Sequence, residues 1–266
     1  MKYLTKNVTI YDLEGKSVGK LELPECFDDP VRFDLIQRAV VALQTAKFQP
    51  QGRDPMAGKR TTAQSLGVGR AMARVPRVKG DRYPRANLAA FAPSTVKGRL
   101  TFPPTSAKIL TKRINKKELK LATRSALAAA CSIELVKARG HKIAEDREVP
   151  IVVSDDIERI SKSSEASKIL KSIDVWEDAI RASKRGSRAG RGSVRGRPHK
   201  NSVSTLFVVE KKQEAEKAFR NFPGVKVVEV SSLNVNDLAP GTHPGRLTVW
   251  SKSAIGLIQG RFGGLT

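Results

Sequence analysis

The sequence predicts an α/β fold: a parallel-sheet core with flanking helices, an N-terminal hairpin and a long irregular basic extension. Three observations carry that reading. In the C-terminal half, short apolar runs alternate with amphipathic stretches, the rhythm of parallel strands joined by helical crossovers. Near the N-terminus, apolar and polar residues alternate from Val8 to Leu13 and again from Val18 to Leu23, on either side of Glu14-Gly15-Lys16. That is a hairpin pattern. From Gln44 to Pro104 no apolar period runs at all, and glycine and proline are dense.

The elements follow in order. The hairpin is expected to lie outside the main sheet. Asp28-Asp29-Pro30 then opens a helix, with an Asp receiving free amides and Pro30 where its missing N–H costs nothing. Its apolar face is Val31, Leu35, Ile36, Ala39, Val40, Ala42 and Leu43, and it fades near Lys47. After Pro104, Asn115 and Glu118 form a capping-box variant. One helix is expected from Leu119 through Ala128 to Val136, closed by Gly140. Val149 to Val153 reads as a strand buried on both faces, with Asp155 and Asp156 at its end. Helices follow at Ser164–Ile173 and Asp174–Ser183, the second with Glu177 as capping partner. Then come a strand at Thr205–Val209, a helix at Gln213–Phe222, a strand at Val225–Val230 and a helical turn at Leu233–Leu238. A strand at Arg246–Trp250 and a last helix through Ile258, capped by Ser251, complete the chain. The expected organisation is a single α/β domain over residues 1–266. A basic arm at 44–104 is inserted in it, and a basic Gly/Arg loop lies at 181–200.

Charge narrows the function. Lys and Arg number 49 against 26 Asp and Glu, a formal charge of +23. Nucleic acid is the usual partner of such a surplus, and an anionic membrane the next. No apolar run approaches the eighteen or so residues of a spanning helix, and no stretch pairs a basic face with a bulky aromatic one. No membrane is expected. The start, MKYLTKNVTIYDLEG, lacks the apolar segment of a secretion signal, so a cytoplasmic protein is expected. Cys26 and Cys131 lie too far apart in sequence for a disulfide framework or zinc signature, and read as small packed hydrophobes.

Single motifs are weak. Gly15-Lys16-Ser17-Val18-Gly19 matches a nucleophile elbow, but its turn joins two strands rather than a strand and a helix. Gly67-Val68-Gly69-Arg70-Ala71-Met72 begins like a dinucleotide fingerprint, yet no strand precedes it and Met72 fills the third small position. His141, His199 and His243 form no helical pair and read as surface or phosphate-facing groups. No metal, cofactor or small-molecule substrate is expected.

The two basic stretches are different in kind. Between Gln44 and Pro104 lie Lys47, Arg53, Lys59, Arg60, Arg70, Arg74, Arg77, Lys79, Arg82, Arg85, Lys97 and Arg99, with only Asp54 and Asp81 against them. Farther on come Arg181, Lys184, Arg185, Arg188, Arg191, Arg195, Arg197 and Lys200, with no acid and with interleaved glycines. An ordinary solvated surface mixes both signs. Glycine lets a backbone approach a phosphate, and arginine brings forked donors. Few aromatics argue against a base-stacking sheet, so shape and backbone recognition of folded RNA fits better. The free arm is expected to be disordered, since like charges repel and little is buried.

These residues carry a resemblance. The stretch from Arg60 to Pro76, RTTAQSLGVGRAMARVP, resembles the extended loop of the ribosomal protein L four family. Val96-Lys97-Gly98-Arg99 and Pro103-Pro104 resemble the end of that loop, and Arg124-Ser125-Ala126-Leu127-Ala128 the helix after it. The Arg188–Arg197 segment, with Leu233-Asn234, Asp237-Leu238-Ala239-Pro240-Gly241 and Gly245-Arg246-Leu247, resembles the archaeal and eukaryotic branch. The length is similar to that of the archaeal form.

The resemblance implies a structural constituent of the large ribosomal subunit that binds its rRNA and contacts neighbouring proteins. It implies an arm in the wall of the peptide exit tunnel, beside the extension of another constriction protein. The tip would fall near Gly67 to Val75, with Gly67, Val68, Gly69, Arg70, Met72 and Arg74 at the tunnel. No catalysis is expected. The competing class is an RNA-acting enzyme using Asp155, Asp156 or a histidine, which needs a pocket where these converge.

Overall fold

The structure, a computed structural model, describes residues 7–144 and 147–263; the first residues of the segment read above for a secretion signal lie outside that range. The chain divides into two compact units, Met1–Gln44 with Lys112–Thr266, and Thr45–Thr111.

The larger unit is built on a six-stranded sheet. Its elements in chain order are β1 (Asn7–Tyr11), β2 (Ser17–Glu22), α1 (Phe33–Thr45), α2 (Lys116–Ala130), α3 (Ile133–Ala138), β3 (Ile151–Val153), α4 (Ser163–Ser172) and α5 (Trp176–Ser183). A small ribbon follows, β4 (Gly186–Ser187), α6 (Arg191–Val194) and β5 (His199–Lys200). Then come β6 (Leu206–Val209), α7 (Gln213–Phe219), β7 (Lys226–Glu229), α8 (Val235–Leu238), β8 (Thr248–Ser251) and α9 (Lys252–Phe262). The strand order is β2-β1-β3-β8-β6-β7. Every pairing is parallel except β1 with β2.

The central strands are buried along their whole length, as continuous apolar runs require. Their two-residue period splits the core into two layers. Val152, Val208 and Trp250 face one layer with Ile36, Val40 and Leu127. Ile151, Val153, Phe207, Val209 and Val249 face the other with Phe219 and Leu170. Trp250 meets Phe27 edge-on at 5.5 Å, and Phe207 stacks on Phe219 at 4.5 Å. Both cysteines are buried, and burial pushes the Cys26 thiol up to about 12.

The structure corrects the sequence reading at five points. The hairpin is not outside the sheet: Ile10 and Tyr11 of β1 pair in parallel with Val152 and Val153, and only β2 is left as an exposed edge. Val8 and Ile10 supply the reason, since their shared face is buried in the core.

The first helix begins at Phe33, not at Pro30. Asp29 is drawn into an ion pair with Arg124. Ser125 does the capping from α2, accepting the Arg32 amide at 2.6 Å and donating to the Pro30 carbonyl at 3.0 Å. Asn115 stands at the start of α2 but makes no side-chain cap, and Glu118 turns to Arg38 at 2.8 Å instead of reaching back to it. The single helix expected through Val136 is two. Ser132 takes an extended backbone (φ −92°, ψ 113°) between α2 and α3 and redirects the chain.

Glu177 likewise makes no cap and faces Lys142 instead. Ser251 does cap α9, accepting the Ala254 amide as expected. No helix of the described residues is long and apolar enough to cross a membrane.

Candidate nucleic-acid interface

The unit Thr45–Thr111 has no core. None of its residues is buried, and Val68, Val96, Phe102 and Ile109 are 72, 87, 89 and 87% exposed. What order it has comes from its backbone. Arg53 donates its amide to the Pro104 carbonyl at 3.1 Å. Gln64 and Arg77 exchange amide–carbonyl bonds at 2.9 and 3.0 Å, and Val78 and Ala90 donate to Leu88 and Pro76. Three chain limbs are thus laced side by side.

Two glycines permit the closest approach. A Cβ on Gly58 would stand 2.5 Å from the Gly98 carbonyl, and one on Gly98 would stand 2.0 Å from the Ala92 oxygen. Neither position can carry a side chain without moving backbone.

The unit also holds strained residues. Ala71, Arg82, Asn87, Phe91 and Lys97 have φ between 50° and 68°, the left-handed region that side chains disfavour. Each such residue costs about 1–2 kcal/mol. With no apolar core to offset that cost, the conformation needs support from outside the chain.

The candidate residues are placed as follows. Arg53, Arg60, Arg70, Arg74, Lys79, Arg82, Arg85 and Lys97 are exposed, and Lys59, Arg77 and Arg99 are half-buried. Arg60 pairs with Asp54, whose carboxyl is held below its ordinary range by that hydrogen bond and by the Met56 amide. That is the one ion pair of the unit among the described residues. Arg77 spends part of its guanidinium internally, donating to the Asn87 carbonyl at 2.9 Å, and Arg99 lies over the Phe91 ring at 5.9 Å. Gly67, Val68, Gly69, Arg70, Met72 and Arg74 share one exposed loop. Its base is closed by Ser65, whose hydroxyl donates to the Arg74 carbonyl at 3.0 Å.

The second basic stretch is a ribbon rather than a plain loop. Gly186 and Ser187 of β4 pair with Lys200 and His199 of β5. Arg188 donates its amide to the Pro198 carbonyl at 2.7 Å, and α6 makes one turn between them. Arg185, Arg188, Arg191, Arg195, Arg197 and Lys200 are all exposed, and none has an acid partner among the described residues. Arg181 is different. It is half-buried, with Nε on Asp178 at 2.8 Å and Nη2 on the Val203 carbonyl at 2.8 Å, so it anchors the ribbon's root.

Of the groups named in the competing enzyme reading, Asp155 and Asp156 line one cleft of about 370 Å³, with no histidine among its walls. Asp155 accepts the Ser253 amide at 2.8 Å. Glu158 accepts the Glu210 amide and the Ser251 hydroxyl, both at 2.7 Å. No cluster of His, Cys, Asp or Glu able to hold a metal occurs among the described residues. Ser17 lies exposed on β2, in strand-turn-strand context. His199 and His243 are exposed, but His141 is buried, with Nδ1 3.0 Å from Asp178. Sequence missed this pair because its members stand far apart in the chain. The only available signal was the apolar periodicity around each.

An α/β body with two acid-poor cationic segments has the build of a protein that holds a polyanion. Comparison with known proteins is specific about the kind. The model of the Ribosomal protein L4/L1 family matches residues 21–261. The large ribosomal subunit protein uL4 of Sulfolobus acidocaldarius is 47% identical over 262 residues, 98% of this chain and 96% of that protein. The protein of the same name from Methanopyrus kandleri is 46% identical over 255 residues, 96% of this chain and 98% of its own. That from Methanosphaera stadtmanae is 45% identical over 249 residues, with 93% and 94% covered. The chain belongs to the Ribosomal protein L4/L1 family, in its archaeal type.

Proposed function

We propose that this chain is a structural constituent of the cytoplasmic large ribosomal subunit, and that it binds the large-subunit rRNA through its arm and its Gly/Arg ribbon. The arm contributes to the wall of the polypeptide exit tunnel. The Gly67–Val75 loop, with Arg70 and Arg74, faces the tunnel or its RNA, next to the extension of another ribosomal protein. The α/β body anchors both cationic segments and performs no catalysis.

One observation carries the reading: a unit of some sixty-seven residues, Thr45–Thr111, with no buried side chain and almost no acid holds a backbone that its own contacts cannot justify. A partner that supplies phosphates neutralises its cations. The same partner can cover its exposed apolar groups, each worth about 1.5–3 kcal/mol when fully buried. Folded rRNA offers both.

The test is deletion of residues 48–99 followed by binding to large-subunit rRNA. The expected product is a folded body that binds the RNA far more weakly. Unchanged affinity would end the arm's assignment.

A further inference from the structure

The body contains a cleft of about 520 Å³ at the root of the ribbon. The end of α3 and the segments leading into β6 and β8 border it. Its polar groups are Arg139, Arg181, His141, Ser202 and His243, and Phe33 stands among its walls. No carboxylate lines it. The nearest, Asp178, is fully buried and already satisfied. It takes His141 Nδ1 at 3.0 Å, the Lys142 amide at 3.1 Å, Arg181 Nε at 2.8 Å and the Ser204 hydroxyl at 2.7 Å.

Two buried atoms of the cleft's lining residues have no partner: Arg139 Nη1 and His141 Nε2. Arg139 donates Nη2 to the Pro240 carbonyl at 2.8 Å but meets no acid. Burial, then the charge of Arg181, push its guanidinium down to about 10. An arginine in that position lacks a counterion. His141 has the complementary deficit. Asp178 is ionised, so Nδ1 carries the ring proton toward it, and burial keeps the imidazole neutral. Nε2 is then a lone pair able to accept a hydroxyl proton. The cleft therefore asks for an anion and a hydroxyl in one ligand. Phe33, 54% exposed, adds an aromatic face.

We propose that this cleft binds a ribonucleoside phosphate, with phosphate oxygens on Arg139 and Arg181, a ribose hydroxyl donating to His141 Nε2 and the base against Phe33. The ribose 3′-phosphate of RNA carries the anion and the 2′-hydroxyl on adjacent carbons, which suits a paired donor and acceptor. The volume lies within the range of ligand pockets. The unit can arrive as a free nucleotide or as an unstacked residue of RNA. The second source rests on the function proposed above, whereas the pocket chemistry does not.

Calorimetric titration of the full chain tests this with 3′-AMP, 2′-deoxy-3′-AMP and inorganic phosphate. Saturable one-to-one binding of 3′-AMP is expected, about tenfold tighter than phosphate because of base stacking, and weaker by about fivefold or more for the deoxy compound. Arg139→Gln should weaken both ligands by about tenfold or more. Phe33→Ala should weaken 3′-AMP and leave phosphate unchanged. Because Arg139 also holds the Pro240 carbonyl, its variant is compared by thermal melting; Phe33 is exposed, so its variant decides even if the other fails to fold.

A surface control on α4, Lys168→Gln, should change nothing. A hexamer of unpaired adenosines that binds more tightly than 3′-AMP, and loses affinity with Phe33→Ala, identifies RNA as the source; the reverse preference identifies a free nucleotide. Absence of saturable 3′-AMP binding overturns the proposal. So does equal affinity for phosphate and 3′-AMP, or binding kept in full by both cleft variants. Any of these would leave rRNA binding by the arm standing, since arm deletion reads that separately.

Discussion

The two units of this chain are stabilised in opposite ways. In the body, Trp250, Phe207, Phe219 and Leu127 are fully enclosed, and every central strand is buried end to end. In the Thr45–Thr111 unit nothing is enclosed, and the backbone sits in left-handed conformations at five side-chain-bearing residues. The body's shape follows from what its own side chains bury. On the function proposed above, the arm takes its shape with a partner whose charge and surface complete it. One chain would then hold a self-sufficient anchor and a segment that serves as an interface along its length.

The sharpest way to separate the two is salt. If six to ten arm and ribbon cations meet phosphates, raising salt from about 50 to about 200 mM should weaken rRNA binding by roughly 10³–10⁵-fold. The melting of the body should hardly move, because its stability is apolar. Filter binding and calorimetry of the same sample check both. A salt-insensitive affinity would mean that the cations are ordinary solvated charge.

Truncation of the core comes next. Phe207→Ala should cost about 3–5 kcal/mol in denaturant unfolding. The same change at Phe102, 89% exposed in the arm, should stay within about 0.5 kcal/mol. A large cost at Phe102 would reveal a core that the arm does not show.

Acid should reach the body through its buried polar cluster. Burial pushes the Asp178 carboxyl up. Hydrogen bonds from His141, Arg181 and Ser204 outweigh that and hold it well below the usual carboxylate range. The His141 imidazole is lowered from 6.5, by burial first. In both cases the unfolded chain takes up a proton that the folded chain resists. Stability should therefore be complete above about 6.5, decline as the pH falls below it and decline further below about 4. His141→Gln should remove the upper part of that slope in pH-dependent melting, and Asp178→Asn the lower. A melting temperature independent of pH between 7 and 3 would contradict the assignment. The smallest effect expected is at a single cap: Ser251→Ala should cost about 1 kcal/mol, since its oxygen accepts the Ala254 amide.

Legibility in the sequence follows the same division. The apolar runs gave the central strands because a strand buried on both faces leaves few alternatives, and Ser251 gave its cap because the motif is local. The arm was legible as an absence of period joined to a surplus of charge. What failed was decided by tertiary partners. Asp29 could not be read as the mate of Arg124, nor Ser125 as the cap of a helix that begins far upstream of it. The hairpin's place in the sheet depended on Ile10 meeting Val152. The His141–Asp178 pair, and Arg181's withdrawal from the basic segment to serve it, had no local signature. Histidine spacing alone pointed to the surface. The exposed arginines of the ribbon were read as a cluster from their spacing, but their two short strands were too brief to signal themselves.

The central claim is that the arm borrows its form. Amide hydrogen exchange of the free chain, followed residue by residue, tests it most directly. The expected result is rapid exchange across Thr45–Thr111 beside strong protection in the central strands, with arm protection appearing only when large-subunit rRNA is added. Arm amides as slow to exchange in the free protein as those of Leu206–Val209 would contradict it.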